Sequence, residues 1–226
     1  MPDPGRHRRD LPPLLVEPCA LCGAVADATG LCKVCRAALP RVQQPCPVCG
    51  ISRHQPWAKH PQGWFFGRVW APFQYRFPMP QLIHRLKYRG QQQLGYGLGL
   101  LLAEDLPLEQ DENTVLIPIP LHRQRLIERG YNQSFELARG IAAARGLPVW
   151  LSGISRRRPT SFQAGLSQRQ RQHNVDKAFL AQRRMSRVHI WLVDDVITTG
   201  ATGNALAGAL LEAGAQRVSI TALARG

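Results

Sequence analysis

The feature that most constrains the fold is an eleven-residue string, LVDDVITTGAT, at residues 192–202. An apolar run ends on Asp194 and Asp195, and a turn of small and hydroxylated residues leads into an apolar helical pattern. This strand, turn and helix would offer backbone N–H groups to an anion, and carboxylates accept hydrogen bonds from ribose hydroxyls. We therefore predict a sugar-phosphate site, with a phosphate cradle formed by Thr198, Thr199, Gly200, Ala201 and Thr202.

The same string argues against other phosphate sites. The chain contains no GxxxxGK motif, which excludes a P-loop for nucleoside triphosphates. Only 31 residues follow Asp195, too few for the remaining sheet of a receiver domain, which also places paired acids on a strand. The plain alternative is a helix cap after a buried strand with two exposed acids, and the completeness of the string favours the site.

The C-terminal half of the chain alternates between strand and helix patterns. Strands are predicted at residues 114–120, 147–152, 188–193 and 217–224, and helices at 132–144 and 200–213. Upstream, residues 63–77 predict one or two strands, and helices are predicted from Pro78 and over residues 93–104. Such alternation predicts a parallel sheet flanked by helices, with ligands beyond the carboxyl ends of the strands.

All six cysteines lie between Cys19 and Cys49 as three CxxC pairs, a pattern typical of metal ligation in a reducing compartment. Cys19, Cys22, Cys32 and Cys35 have the spacing of a closed tetrahedral zinc site, whose role is to fold a segment too small for its own core. We therefore predict a zinc-ribbon module over residues 14–62 and a larger domain over residues 63–226.

Cys46 and Cys49 form a third pair without an obvious partner pair. His54 and His60 follow it and offer the ligands for a second metal site. A second ribbon that has lost part of its ligand set, leaving free thiols, is the interpretation we favour.

The charge of the chain points to an anionic partner. The formal net charge is +14, and residues 121–187 hold 14 Lys and Arg against three acidic residues. Such a surface attracts a small polyanion or single-stranded nucleic acid, although a solvated basic surface is the plain alternative. No run of about 18 apolar residues predicts a membrane span and the N-terminus lacks the apolar core of a secretory signal, so we expect a cytoplasmic protein.

The string at 192–202 resembles the phosphoribosyl-diphosphate (PRPP) signature of type I phosphoribosyltransferases. From the CxxC pairs to the end, the chain resembles the ComF/GntX family of amidophosphoribosyltransferase-like proteins, which is linked to DNA uptake and use. The resemblance implies a type I phosphoribosyltransferase-like sheet with an N-terminal zinc ribbon. It also implies that Asp194 and Asp195 form the catalytic pair that holds the ribose hydroxyls, with magnesium arriving on PRPP.

Two basic segments match further family patterns. An RGxNQ turn after the proline-bounded strand is matched by Arg129, Gly130, Asn132 and Gln133, and the resemblance implies that it faces the diphosphate. A second segment implies a mobile loop over the sugar, with candidates Arg158, Gln163 and Arg171. Asn132 as an ordinary helix cap and the arginines as surface charge remain the alternative, and Lys87 fits the family pattern without an assigned role.

Two functions remain open at this point. The first is phosphoribosyl transfer from PRPP to an acceptor that no residue set identifies. The second is a non-catalytic zinc-containing module that binds single-stranded DNA or senses nucleotides, in contact with proteins of the DNA-uptake machinery. Both use the site at residues 193–202, and the resemblance favours a DNA-related process for either.

Overall fold

A computed structural model describes residues 18–52, 63–108, 113–156, 179–181 and 185–226, and its centre is a parallel sheet. The strands are β1 (Arg68–Trp70), β2 (Phe73–Gln74), β3 (Thr114–Pro118), β4 (Ile154–Arg156), β5 (Phe179–Ala181), β6 (His189–Ile197) and β7 (Arg217–Arg225). The helices are α1 (Lys33–Ala37), α2 (Met79–Tyr88), α3 (Gln92–Glu104), α4 (Arg123–Arg129), α5 (Gln133–Arg145) and α6 (Ala201–Glu212). The predicted parallel sheet with flanking helices is confirmed.

The order of the strands indicates where the sheet would bind a ligand. The sheet runs β1–β7–β6–β3 with parallel neighbours, and β2 continues β1 along the same side of β7. Beyond β3, Val149 forms a parallel bridge to Leu116. The chain therefore leaves β3 in one direction through α5 and leaves β6 in the other through α6. The carboxyl ends of β3 and β6 flank this topological switch point, where open α/β sheets bind ligands.

Both faces of the sheet are buried, which explains why its strands read as continuous apolar runs. Side chains alternate along β6, so Ile190 and Leu192 join the core beneath α6, while Trp191 and Val193 join the core beneath α2, α3 and α5. Trp191 is fully buried. This packing fixes the strand that carries the two aspartates.

Helices α3 and α5 pack against each other through glycine. A Cβ at Gly140 would come within 2.1 Å of the Tyr96 carbonyl oxygen, and one at Gly99 within 2.3 Å of the Leu137 carbonyl oxygen. Neither position has room for a side chain, because the obstacle is backbone in both cases. The close approach sets α5, whose first turn lies beside the carboxyl end of β3.

The cysteine-bearing segment packs directly on α3. Leu31 and Leu39 are buried in the same core as α3 and α5, and a Cβ at Gly97 would lie 2.6 Å from the Thr29 carbonyl group. At the end of α3, the guanidinium of Arg36 donates to both carboxylate oxygens of Glu104 at 2.6 and 2.5 Å. The segment thus shares its apolar core with the sheet.

The structure differs from the sequence predictions at three elements. Strand β6 runs to Ile197 rather than ending at Val193, because β7 continues beside it as far as Arg225. Helix α4 was not predicted, since the arginine-rich sequence after β3 lacks an apolar face and no residue of α4 is buried. Residues 147–152 form one bridge to β3 instead of a full strand.

Several predicted site residues fall outside the described ranges. These are His54, His60, Arg158, Gln163 and Arg171. Within the described ranges, no helix combines the length and the apolar character needed to cross a membrane.

Gly97→Ala should destabilise the protein, because its methyl group would meet the Thr29 backbone rather than a movable side chain. Overpacking of this kind costs about 1–3 kcal/mol, and we expect the melting temperature to fall by at least about 2–4 °C. Gly67→Ala is the matched control, because no atom lies within 4 Å of its added Cβ. An unchanged melting temperature in Gly97→Ala would contradict the close contact.

Candidate functional site

Asp195 forms a buried ion pair at the carboxyl end of β6. Its Oδ2 lies 2.6 Å from Nζ of Lys87, the penultimate residue of α2, and its Oδ1 accepts a hydrogen bond from Val196 N at 3.1 Å. The Asp195 side chain is only 6% exposed and that of Lys87 is 24% exposed. The pair therefore fixes one carboxylate and gives Lys87 a role at the site that its sequence position did not reveal.

Asp194 lies in a different environment from Asp195. Its Oδ1 accepts hydrogen bonds from Ser134 Oγ at 3.2 Å and from Asp195 N at 2.9 Å. Burial, reinforced by the nearby Asp195 carboxylate, raises the pKa of Asp194 to about 8, although the positive charge of Lys87 opposes the shift. The Asp194 carboxyl therefore takes up a proton at a higher pH than an ordinary aspartate does.

A cavity of about 220 Å³ opens beside these acids and is lined mainly by cationic and polar side chains. Arg129 is held at its wall, because Nη1 donates to Gln133 Oε1 at 2.9 Å and the guanidinium lies 5.4 Å from the centre of the Tyr88 ring. The lining residues are Lys87, Ile119, Leu121, His122, Arg125, Arg129, Gln133, Ser134, Arg156, Asp194, Asp195 and Thr202. Such a lining suits a polyphosphate.

Arg156 closes another side of the same cavity. Its Nη1 lies 3.4 Å from the Pro120 carbonyl oxygen, and its guanidinium lies 5.5 Å from the centre of the Phe179 ring. Burial lowers the pKa of Arg156 from its ordinary value, and the Asp194 carboxylate opposes that shift. A cation at the end of β4 thus adds to the field over Asp194.

A smaller cavity lies over the loop between β6 and α6 and shares Ile119, Asp194 and Thr202 with the larger one. Its remaining lining includes Thr198, Thr199, Gly200 and Ala201. These five loop residues, 198–202, are called the phosphate loop below. Their side chains and backbone face a space of about 50 Å³ at the N-terminus of a twelve-residue helix, an arrangement that favours an anion.

The phosphate loop turns at Gly200, which adopts a φ of +76°. A Cβ there would lie 3.4 Å from ring atoms of both Trp64 and Phe66, so the glycine satisfies a backbone and a packing requirement together. Thr199 Oγ1 accepts from Ala201 N at 3.3 Å. The structure brings the five predicted residues of this loop together with Asp194.

Gly130 and Asn132 shape the backbone beside the site, at the end of α4 and the start of α5. Gly130 ends α4 with a φ of +75°, and Asn132 caps α5 by accepting from Ser134 N at 3.0 Å. The amide of Asn132 also donates to the Ile119 carbonyl oxygen at 3.1 Å. Asn132 therefore orients Ser134 and the end of β3, while Arg129 from the same motif lines the cavity itself.

Sequence reasoning gave no role to Lys87, Ser134 or Arg156 at this site. Lys87 and Ser134 reach the acids only because α2 and α5 pack on one face of the sheet. The one available signal was position, since Ser134 is two residues beyond the predicted cap Asn132 and Lys87 sits in the family-like LKYRG segment.

Four of the cysteines form a compact cluster. The ligand atoms of Cys19, Cys22, Cys32 and Cys35 all lie within 4.8 Å of one another, and Sγ of Cys22 is 3.7 Å from Sγ of Cys32. A tetrahedral ion with bonds of about 2.3 Å requires sulfur separations of about 3.8 Å. The tetrad therefore has the size and donor set of a metal site compatible with zinc.

Backbone N–H groups donate hydrogen bonds to two sulfur atoms of this cluster, those of Cys19 and Cys32. Burial opposes ionisation of Cys19, but backbone N–H groups of Cys32, Cys22 and Leu21 donate to it and lower its pKa to about 6. Cys35 N also donates to Sγ of Cys32 at 3.4 Å, where α1 begins. These contacts are typical of knuckles that hold a metal.

The third pair lies apart from the tetrad. Cys46 is 8% exposed and Cys49 is fully buried, and both belong to a second turn in which Gly50 N donates to the Cys46 carbonyl oxygen at 2.8 Å. Within the described residues, the tetrad is the group of metal-binding side chains that the structure assembles. The interpretation of this pair as an incomplete second ribbon stays a prediction, and the alternative second metal site would need His54 and His60, which lie outside those residues.

Known proteins resemble the chain over most of its length. It is 30% identical over 207 residues to the DNA utilization protein YhgH of Salmonella typhimurium, which covers 87% of this chain and 90% of that protein. The corresponding protein of Escherichia coli O157:H7 is 32% identical with the same coverage. Competence protein F of Haemophilus influenzae is 29% identical over 211 residues, again covering 87% and 90%. No protein-family model matches the chain.

Likeness to solved structures is partial. The glutamine PRPP amidotransferase of B. subtilis complexed with ADP and GMP is 27% identical over 56% of this chain, which spans 25% of that chain, with a TM-score of 0.39. The hypoxanthine phosphoribosyl transferase of Trypanosoma cruzi is 15% identical over 60% of this chain and 65% of that chain, with a TM-score of 0.36. Superpositions this loose establish no residue correspondence.

The raised pKa of Asp194 should make stability depend on pH. The folded protein retains a proton up to about pH 8 that the unfolded chain loses near 3.8, so stability falls as pH rises between those values and then levels off. Asp194→Asn should remove this dependence and raise the melting temperature at pH 8.5 by about 2–4 °C. Melting curves from pH 5 to 9 check this, with the exposed Asp105→Asn as control, and parallel wild-type and Asp194→Asn curves would contradict it.

The zinc content of the protein should depend on the four cysteines of the tetrad and not on the third pair. We expect one zinc per chain by elemental analysis, with loss in Cys22→Ser because a closed four-thiolate site requires all its ligands. Cys46→Ser is the matched control and should retain the zinc. A loss of zinc in Cys46→Ser equal to that in Cys22→Ser would contradict the assignment of the site.

Proposed function

Because the chain belongs to the ComF/GntX family of DNA utilization and competence proteins, we propose that it binds PRPP as a phosphoribosyltransferase-like protein serving DNA uptake or use. Membership agrees with the fold class expected from the sequence, a type I phosphoribosyltransferase-like parallel sheet with a small N-terminal cysteine module. The observation that carries the proposal is Asp194, which borders both the cationic cavity and the phosphate loop.

Each part of PRPP has a matching part of the site. The phosphate loop would hold the 5′-phosphate through backbone N–H groups and the hydroxyls of Thr198, Thr199 and Thr202. Asp194 and Asp195 would accept hydrogen bonds from the ribose hydroxyls. The diphosphate would then extend into the larger cavity, where Arg125 and Arg129 offer guanidinium groups.

Magnesium fits this arrangement as a companion of the ligand. The donor set beside the cavity is two carboxylates, Asp194 and Asp195, and a metal held by one or two carboxylates with substrate oxygens is the usual form of magnesium in phosphate sites. It would supply positive charge at the diphosphate. Because the pKa of Asp194 is raised, binding of a cation to its carboxylate would be coupled to release of a proton.

Transfer would break the bond between ribose C1 and the diphosphate oxygen, with the electron pair leaving on the diphosphate. An acceptor would form the new bond to C1 and lose its proton to solvent or base. Arg125 and Arg129 would stabilise the leaving group, whose charge grows as the bond breaks. The aspartates would orient the sugar and form no bond to it.

A second function is supported by the surface around the cavity. Helix α4 buries none of its residues, carries Arg123, Arg125 and Arg129, and exposes Ile127 at 72%. A basic, partly apolar surface beside a phosphate site suits a module that holds single-stranded DNA or senses a nucleotide without turnover. In either role we place the protein in the cytoplasm, where thiols stay reduced, in contact with proteins of DNA uptake.

Calorimetric titration of PRPP with magnesium into zinc-loaded protein tests the site. Saturable binding is expected, weakened at least about tenfold in Asp194→Asn/Asp195→Asn, because the double substitution removes the carboxyl groups that would hold the ribose hydroxyls. Asp105→Asn should bind as wild type does, since Asp105 pairs with Arg41 away from the cavity. Absence of binding at millimolar PRPP, together with single-stranded DNA binding that survives the double substitution, would refute the site in favour of the second function.

A further inference from the structure

The guanidinium of Arg225, the last residue of β7, lies under the start of the phosphate loop. Its Nη1 donates to the carbonyl oxygen of Ile197 at 2.9 Å, to that of Thr198 and to that of Gly226 at 2.6 Å. On the other side, Nε donates to the Cys49 carbonyl oxygen at 2.9 Å. One side chain therefore joins the phosphate loop to the second CxxC turn.

Fixing these carbonyls also fixes the amides that follow them. A trans peptide is planar, and its C=O and N–H point in opposite directions. With the Ile197 and Thr198 carbonyls turned toward Arg225, the N–H groups of Thr198 and Thr199 are turned away from it. The carbonyl groups therefore face Arg225, while the N–H groups face the opposite side, where they are available to an anion.

The second CxxC turn, residues 45–52, is itself firmly seated. Val69 N in β1 donates to the Pro47 carbonyl oxygen at 3.0 Å. Gly50 has a φ of +71°, and a Cβ there would lie 2.7 Å from Val69 Cγ1. Because the turn rests on β1 and contacts Arg225, its position sets where the guanidinium can lie.

Burial lowers the pKa of Arg225 from its ordinary value, with the Cys49 thiol as an opposing influence. A desolvated cation is held in place by the acceptors around it. Four carbonyl oxygens surround this guanidinium, one of them from the cysteine turn.

We propose that Arg225 is a positioning residue for the 5′-phosphate, and that the Cys46–Cys49 turn acts through it as a support for the phosphate loop. This inference rests on the proposed function, because it assigns the loop a phosphate ligand. It gives the third cysteine pair a task separate from the metal-binding tetrad. It also predicts that binding of the ribose 5-phosphate part of PRPP depends on Arg225, whereas binding of the diphosphate part does not.

The test compares two ligands in the full-length protein. Ribose 5-phosphate should bind at least about tenfold more weakly to Arg225→Gln, because the loop loses hydrogen bonds from a charged donor. Inorganic pyrophosphate with magnesium should bind Arg225→Gln as it binds wild type, since the larger cavity lacks Arg225. Arg225→Lys should restore part of the ribose 5-phosphate affinity, and Arg217→Gln, at the opposite end of β7, is the matched control.

A second variant tests the cysteine turn. Gly50→Ala should displace the turn through Val69 and reproduce the selective loss seen in Arg225→Gln. Amide hydrogen exchange without ligand supplies an independent measurement, and both variants should accelerate exchange over residues 197–202 by about tenfold relative to Arg217→Gln. Retained zinc verifies that the tetrad remains folded in each variant.

The outcomes are distinct. Equal weakening of both ligands, or unchanged exchange in the phosphate loop, would overturn the positioning role of Arg225. If wild type binds neither ligand while exchange still depends on Arg225 and Gly50, the proposed function fails and the link between turn and loop stands.

Discussion

The pairing of β6 with β7 is the constraint on which the rest of the structure depends. The two strands stay in register from His189 and Arg217 to Ile197 and Arg225, so β6 continues past its apolar stretch and carries Asp194 and Asp195 to the edge of the sheet. The same register places Arg225 beneath the loop that follows. Strand pairing thus positions the two aspartates and Arg225 together. A shift of the register by one residue would move every side chain of the strand to the opposite face of the sheet.

Two adjacent carboxylates acquire different properties from this placement. The two carboxylates have different partners, which are Lys87 for Asp195 and Ser134 for Asp194. Burial and the neighbouring Asp195 carboxylate raise the pKa of Asp194. The site therefore combines a carboxylate paired with a lysine and a second one with a raised pKa, next to a cavity lined with arginines.

The sequence predicted those features of the structure that depend on residues close together in the chain. The β6–loop–α6 unit, the cap at Asn132 and the cysteine tetrad each depend on residues close in the chain or on metal-ligand spacing, and all three are present. The roles of Lys87 and Arg225 could not be predicted, since each acts on residues brought near by the sheet. Helix α4 was missed for another reason, because a helix that buries no side chain has no apolar period. The roles of Arg158, Gln163 and Arg171 stay predictions.

The seating of the cysteine segment on α3 has a consequence for how such a protein can evolve. Gly97 accepts the Thr29 backbone at a distance that only a missing side chain allows, and Leu31 and Leu39 complete the core beneath α3. The segment therefore contributes to the same apolar core as the sheet and its helices. A lineage that lost this segment would have to cover α3 with other apolar side chains, and the glycines of α3 would still mark where the segment had packed.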